Sequence, residues 1–257
     1  MSTKDLSPGS YEVEFSIIKA NGEVFARNDP GQTFALAEPE EWWHNNIGKA
    51  DLLHDIVPPP WTPMEVEGDT IACWGRTIRF TGGPLPQQIV SAGDELLAAP
   101  MALDFQLDGK PLRFKEGQVK YSLISKAAIE RIWKGKSQGI SLQVHTRTEF
   151  DGFMWVELNV KNPGKKPITA LTYHMPCVKR NARFIHTPGR GWREDPPPTT
   201  LTTDKLWQSA LDSFSTPVWL GGYERGIQWL TEGRKGWFNC DKSDEVRVWP
   251  EEGRVNL

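Results

Sequence analysis

Two alternating segments joined by an Asp-Gly dipeptide constrain the fold of this chain most strongly. Residues 140–150 are ISLQVHTRTEF and residues 153–160 are FMWVELNV, so apolar and polar side chains alternate in both segments. A period of two places the apolar side chains on one face of a β-strand, and Asp151-Gly152 is a typical hairpin turn. Because both arms are long, we expect this hairpin to lie centrally in a sheet.

Shorter segments of the same kind recur along the chain, beginning with residues 11–18. Residues 121–133 are ambiguous because several apolar side chains there also have helical spacing, but the β context favours a strand. Residues 205–213 could form a short helix. About a dozen short strands with β-like turn spacing predict an all-β fold, a large antiparallel β-sandwich with little helix. A supersandwich of the galactose-mutarotase-like kind is one form that this fold could take.

Composition and charge argue against several classes of function. The formal net charge of −3 gives no basic surface for nucleic acid, and the longest apolar runs are too short to cross a bilayer. Cys73, Cys177 and Cys240 lie far apart without the spacing of zinc ligands, so we expect buried free thiols. We therefore predict no nucleic-acid partner, no membrane partner, no metal and no cofactor.

The high tryptophan content indicates what such a chain could bind. The 12 tryptophans, with 20 prolines and 23 glycines, favour a turn-rich β fold with long ordered loops. Many tryptophans are common in carbohydrate-active proteins, although a large sandwich core can also contain them.

The domain organisation is predicted as one β-sandwich region over residues 1–257, with an alternative division into a leading hairpin, 1–38, and a main sandwich, 39–257. The chain stops inside a predicted strand, which indicates a fragment of a longer multidomain protein. Residues 1–12 are polar and lack the apolar core of a signal peptide. The location is therefore cytoplasmic as written, or secreted or periplasmic if a signal peptide was removed.

The densest group of aromatic and charged residues lies in residues 217–237, where Gly221-Gly222 between apolar runs predicts a hairpin turn. Aromatic faces stack on the apolar side of a pyranose, and charged groups bind its hydroxyls. A basic segment, residues 179–198, precedes this stretch. The predicted glycan-binding residues are Trp219, Tyr223, Glu224, Arg225, Trp229, Glu232, Trp237, Arg183, His186 and Arg190. The alternatives are that the aromatic residues are core and that Glu224 and Arg225 only form a local ion pair.

Proton-transfer chemistry is a second hypothesis, because histidines and glutamates fall on or beside predicted strands, as in mutarotase-like sandwiches. The candidate residues are His145, His174, His186, Glu149, Glu157 and Glu232. A single histidine on a strand is more often simply hydrogen-bonded, and no G-x-S-x-G sequence marks a nucleophile. We therefore predict no catalytic residue in this chain.

Six segments in a fixed order resemble the amino-terminal domain of proteins related to glycoside hydrolase family 123. They are NIG at 46–48, VPPPWTP at 57–63, CWGR at 73–76, GDELLAAP at 93–100, EFDG at 149–152 and WLGGYERG at 219–226. The resemblance spans roughly residues 40–257. It implies a β-sandwich placed before a (β/α)8 barrel, in which an adjacent Asp-Glu pair cleaves β-linked N-acetylhexosaminides.

No part of this chain has the pattern of eight βα units, so the catalytic barrel is expected to lie outside it. Asp94-Glu95 and Asp244-Glu245 are adjacent acidic pairs in a β context, and the catalytic role is not transferred to either. The predicted function is a noncatalytic accessory domain that supports the barrel and contacts carbohydrate. The alternatives are a free-standing sandwich enzyme of the epimerase, lyase or mutarotase type and a carbohydrate-binding module.

Overall fold

The computed structural model describes residues 6–28, 31–38, 40, 55–187, 201–208, 217–231 and 246–257. By their internal contacts, residues group into two compact units, Met1–His54 and Asp55–Leu257. In the described ranges the chain is built of antiparallel β-strands, and its one helical element is a 3-10 turn, Lys179–Asn181. The prediction of an all-β, antiparallel β-sandwich is thus confirmed.

The described residues of the first unit form two small antiparallel sheets. Its strands are β1 (Gly9–Val13), β2 (Ser16–Ile18), β3 (Val24–Arg27) and β4 (Gln32–Leu36). Strand β1 pairs with β4, and β2 pairs with β3. The rings of Tyr11 and Phe34 stack across the first pair, with centroids 5.5 Å apart.

The described residues of the second unit form twenty strands. In chain order they are β5 (Glu65–Glu67), β6 (Thr70–Cys73), β7 (Arg76–Arg79), β8 (Gln88–Ser91), β9 (Asp94–Glu95), β10 (Ala102–Leu107), β11 (Lys110–Leu112), β12 (Gly117–Ile124), β13 (Ala128–Ser137), β14 (Ile140–Glu149), β15 (Met154–Lys161), β16 (Ile168–His174), β17 (Pro176–Val178), β18 (Phe184–His186), β19 (Leu201–Thr202), β20 (Trp207–Gln208), β21 (Val218–Gly221), β22 (Gly226–Trp229), β23 (Arg247–Glu251) and β24 (Arg254–Asn256).

These strands form five sheets that share one core. The sheet orders are β5-β6-β7-β8-β9, β11-β10-β16, β12-β13-β14-β15, β17-β24-β23-β20 and β19-β18-β21-β22. Each sheet contributes buried apolar side chains to the same cluster. No helix in the described part of the chain is long and apolar enough to cross a membrane.

The alternating hairpin forms as predicted, as β14 and β15. In β14 every second residue is buried and the residues between are half-buried, so the apolar positions face the core. Strand β14 lies between β13 and β15, whereas β15 is an edge strand, so only one arm of the hairpin is central. The ambiguous residues 121–133 belong to strands β12 and β13.

The predicted helix over residues 205–213 is wrong where the structure describes that segment, because Trp207–Gln208 is strand β20 and pairs with β23. Residues 209–213 lie outside the described residues. Pairing with β23 supplies backbone partners that a local helical pattern cannot anticipate.

The largest buried side chain, Trp133 on β13, fills the space over two glycines. A Cβ atom at Gly117 would lie 2.1 Å from Trp133 Cε2, and one at Gly135 would lie 2.2 Å from its Cη2. The indole nitrogen donates to the Gly82 carbonyl at 3.0 Å. Because only glycine leaves room for the ring, these positions fix where the tryptophan packs.

A buried ion pair joins the five-stranded sheet to the β12–β15 sheet. Arg131 on β13 is fully buried and donates in bidentate fashion to Asp69, with Nε–Oδ1 2.7 Å and Nη2–Oδ2 2.8 Å. Asp69 also accepts from the Tyr121 hydroxyl at 2.9 Å and from the Gly82 amide at 2.6 Å. The guanidinium lies 4.3 Å from the centroid of Phe80. We call these residues the buried ion cluster.

Hydrogen bonding sets the charge state of this cluster. Burial alone would raise the pKa of the Asp69 carboxyl, but hydrogen bonds from Arg131, Gly82 and Tyr121 outweigh it, so the pKa lies below 3.8. Burial and the neighbouring carboxylate raise the pKa of Tyr121 to about 12. Asp69 is therefore ionised and Tyr121 neutral at ordinary pH.

Candidate functional site

The glycine-rich stretch forms the predicted hairpin, β21–β22, within the sheet β19-β18-β21-β22. Its turn runs from Gly222 to Arg225 and is closed by the Gly222 amide, which donates to the Arg225 carbonyl at 2.8 Å. Gly221 still belongs to the strand, so the turn begins one residue later than predicted. Glu224 and Arg225 lie at the end of the hairpin.

Glycines are required around this turn because other groups lie against the backbone. A Cβ at Gly221 would be 2.0 Å from Trp219 Cζ2, and one at Gly226 would be 3.1 Å from Trp219 Cε2. The indole of Trp219 therefore lies across both glycines and is half-buried. A Cβ at Gly222 would be 2.9 Å from the Arg180 carbonyl oxygen, so the turn packs directly on the 3-10 turn.

Tyr223 is the most exposed large hydrophobic residue among those described, with 81% of its surface accessible. It is nevertheless held in place, because its ring packs against Phe184 with centroids 5.2 Å apart and an interplanar angle of 72°. The Arg183 guanidinium lies 5.3 Å from the Tyr223 centroid. The turn thus presents an aromatic ring and a cation together to solvent.

Arg225 anchors the turn to strand β9. Its side chain is 16% exposed, and Nη1 pairs with the Asp94 carboxylate while Nη2 lies 2.9 Å from Glu224 Oε2. Arg180 Nη2 lies 3.6 Å from the other oxygen of Asp94. The Asn181 side-chain amide donates to the Glu95 carbonyl at 2.9 Å, which fixes the 3-10 turn against the same strand.

A group of aromatic residues that was not among the predicted site residues lies near these turns. Trp61 packs edge-to-face with Trp74, centroids 6.4 Å apart, and with Phe150, centroids 5.5 Å apart. The amide of Trp61 donates to the Pro58 carbonyl at 3.1 Å. Trp74 remains 45% exposed, whereas Trp61 and Phe150 are half-buried.

The aromatic group and the Tyr223 turn belong to one end of the sandwich. The Gly75 carbonyl of the β6–β7 turn accepts from the Ala92 amide of the β8–β9 turn at 2.8 Å, next to Asp94. A Cβ at Gly152 would lie 2.9 Å from Arg76 Cδ, so the β14–β15 turn packs on the side chain that follows Gly75. We call these four turns (β6–β7, β8–β9, β14–β15 and β21–β22), with the 3-10 turn and residues 57–63, the turn end.

Five of the six segments that carried the family resemblance contribute to the turn end: 57–63, 73–76, 93–100, 149–152 and 219–226. Their convergence was not expected. In the sequence, Asp94 stands out only as part of an acidic pair, and Arg180 only as part of a basic segment. Which turns meet depends on strand pairing over long sequence separations, and no local signal contains that information.

The remaining predicted glycan-binding residues have different surroundings. His186 is exposed on β18, opposite Trp219 in the register of β18 and β21. Trp229 on β22 pairs with Val218 and packs half-buried against the core. Arg190, Glu232 and Trp237 lie outside the described residues.

Four of the residues considered for proton transfer lie within ion-pair distance of a partner on a strand face: His145, His174, Glu149 and Glu157. His145 Nε2 lies 3.4 Å from Glu130 and its Nδ1 lies 3.8 Å from Glu157. Arg147 contacts both Glu130 and Glu149, each at 2.9 Å. Another histidine, His174, lies 3.1 Å from Asp104 on a separate sheet.

The pKa of Glu130 favours ion pairing with its neighbours over general-acid catalysis. Burial alone would raise it, but Arg147, His145 and Ser122 outweigh burial and lower the pKa below 4.5. A general acid in sugar hydrolysis needs a raised pKa. Within the described residues no group of three or more His, Cys, Asp or Glu side chains is placed to hold a metal ion.

Comparison with known proteins gives one family. The model described as "Glycoside hydrolase 123, third domain" matches residues 64–237, more than half of the chain. Its description names a third domain, so the amino-terminal placement implied by the resemblance is not confirmed by this match. No curated protein matches the chain.

Proposed function

Because the chain belongs to glycoside hydrolase family 123, matched over that family's third domain, we propose that it is a noncatalytic β-sandwich domain that supports a catalytic barrel and contacts glycan. The glycan contact is assigned to the turn from Gly222 to Arg225. Both assignments rest on the side-chain environments at the turn end and on the β12–β15 sheet.

The noncatalytic role is supported by the charge state of the strand-borne carboxylates. Hydrolysis of a glycosidic bond uses two carboxyl groups, of which one must hold a proton near neutral pH. Burial alone would raise the pKa of Glu130, but the Arg147 guanidinium at 2.9 Å holds that pKa below its ordinary value and so keeps the carboxylate ionised. It is therefore suited to ion pairing and not to donating a proton to a leaving group.

One observation carries the glycan contact, namely the ring of Tyr223, which is 81% exposed and yet held by Phe184 and Arg183. An aromatic ring that is fixed before binding loses little conformational entropy when a sugar stacks on it. The Arg225 side chain is already paired with Asp94, so the turn beneath the ring is anchored. Charged groups beside the ring supply hydrogen bonds to hydroxyls.

Calorimetric titration of the chain with N-acetylgalactosamine and N-acetylglucosamine tests the contact. We expect one of these sugars to bind, and Tyr223→Ala to weaken its binding about tenfold through loss of the stacking surface. Phe25→Ala is the matched control, since Phe25 is also an exposed aromatic, at 68%, but lies on β3 in the first unit. Equal affinity of wild type and Tyr223→Ala would contradict the assignment.

Two further measurements test the rest of the proposal. Turnover of an aryl N-acetylhexosaminide by the isolated chain would overturn the noncatalytic role. The coding sequence on either side of these 257 residues tests the barrel, because the proposal requires a neighbouring region with eight βα units. A gene without such a region would remove the supporting role.

A further inference from the structure

The end of the sandwich carries a second exposed aromatic side chain, Trp74, whose surroundings differ from those of Tyr223. It lies in the β6–β7 turn, where Gly75 has φ +67°, a conformation that favours glycine. The ring is 45% exposed and packs edge-to-face with Trp61. Trp61 in turn packs on Phe150, so three separate stretches of chain meet to hold one exposed indole.

Polar groups lie on the two turns that hold this indole. Arg76 Nη1 donates to the Trp74 carbonyl at 3.4 Å, and its stem lies against Gly152. Asp151, which precedes Gly152, is exposed. Its carboxylate accepts from the Phe153 amide at 2.9 Å, and this hydrogen bond fixes it in the turn. An indole beside a guanidinium and a carboxylate combines a stacking surface with charged hydrogen-bonding groups.

This arrangement favours a sugar over a protein partner. Protein interfaces are enriched in aromatic residues and arginine but depleted of aspartate, whereas two aspartates, Asp94 and Asp151, accompany the aromatic rings of the turn end. Between Trp74 and Tyr223 lie Asp94, Arg180 and Arg225, joined by ion pairs. A pyranose has both an apolar face and hydroxyls, so it can use both kinds of group.

We propose that Trp74, with Trp61, Arg76 and Asp151, forms a second sugar subsite, and that the ligand of the turn end is an oligosaccharide and not a single sugar. This proposal rests on the glycan contact assigned above to Tyr223. The two rings belong to different turns, because Trp74 lies between β6 and β7 whereas the Tyr223 turn is anchored on β9. Strands β7 and β9 are about 10 Å apart, two strand spacings, which suits a ligand longer than one pyranose. The ion pairs of Asp94 would then lie beneath the middle of the bound oligosaccharide.

The test compares N-acetylglucosamine and N-acetylgalactosamine with the β-linked tetrasaccharide of each sugar by titration calorimetry on the full chain. We expect the tetrasaccharide to bind wild type at least tenfold more tightly than the monosaccharide. Trp74→Ala should remove most of this gain and leave monosaccharide binding unchanged. Trp74→Phe keeps an aromatic face and should retain most of the gain, and thermal unfolding of each variant shows that it is folded.

The outcomes separate the two proposals. If Tyr223→Ala weakens binding of both the monosaccharide and the tetrasaccharide, and Trp74→Ala weakens binding of neither, the second subsite is overturned and the turn contact stands. If Trp74→Ala weakens tetrasaccharide binding and Tyr223→Ala does not, the turn contact fails and the site at Trp74 stands as the glycan contact. If no monosaccharide and no tetrasaccharide binds wild type, both proposals are overturned, and the exposed indole is left as a surface for a protein partner.

Discussion

Two clusters of arginine and carboxylate hold turns of this protein in place, and they differ in their exposure to water. In the buried ion cluster, Arg131 is fully buried and binds Asp69 through two nitrogens. At the turn end, Asp94 is 42% exposed and shares its carboxylate between Arg225 and Arg180. The first cluster ties two sheets together inside the molecule, and the second ties surface turns to one another.

The difference has energetic consequences. Taking charges out of water is expensive, so a buried pair requires each member to keep its partner. Pairs between exposed side chains are weakened by water and salt and contribute about 0–1 kcal/mol. The same two residue types therefore stabilise the fold in one place and position surface groups for binding in the other.

The largest effect is expected at Asp69. Replacing Asp69 with Ala leaves Arg131 buried without its carboxylate, which should cost about 3–5 kcal/mol of unfolding free energy. Urea unfolding followed by near-ultraviolet circular dichroism measures this. Replacing both residues with apolar side chains should cost less than Asp69→Ala alone, and a cost below about 1 kcal/mol for the single variant would remove the contrast between the clusters.

A pH dependence should follow from the same carboxylate. The native pKa of Asp69 lies below its ordinary value of 3.8, so ionised Asp69 stabilises the fold above that pH. This contribution is lost as the pH falls through the native pKa. Unfolding measured between pH 5 and pH 2 should show a steeper loss for wild type than for Asp69→Asn, and parallel curves would contradict it.

The smallest effect on stability is expected at Asp94. Asp94→Ala should change the unfolding free energy by no more than about 1 kcal/mol, yet it releases Arg225 and Arg180 and should weaken sugar binding at the Tyr223 turn. At 1 M salt, where the screening length is about 3 Å, wild type and variant should become closer in stability. A loss as large as that of Asp69→Ala would place both clusters in the same class.

The sequence predicted which segments form strands better than it predicted which strands pair with one another. The β14–β15 hairpin was found because alternation and the Asp-Gly turn are local signals that agree with the tertiary structure. Strand β20 was missed because it forms only by pairing with β23, some forty residues later in sequence. Local patterns do not contain such partners.

The candidate site was predicted in part for the same reason. The glycine-rich stretch marked the Tyr223 turn, because glycines and aromatic residues in one hairpin are visible in the sequence. Asp94 and Trp74 were not assigned to it, since they reach the turn end only through the register of β7, β8 and β9. Trp219 shows the opposite case. It was predicted to bind glycan, whereas its ring lies across glycines of its own hairpin.

The residue before Trp74 gives the turn end an internal reporter. Cys73 is a free thiol that is 6% exposed, and burial raises its pKa. Only the thiolate attacks alkylating reagents, so the closed turn end protects this thiol. In a chain with Cys177 replaced by Ala and Cys240 by Ser, the alkylation rate of Cys73 therefore follows how often the β6–β7 turn opens. A sugar that holds the turn closed should slow that reaction.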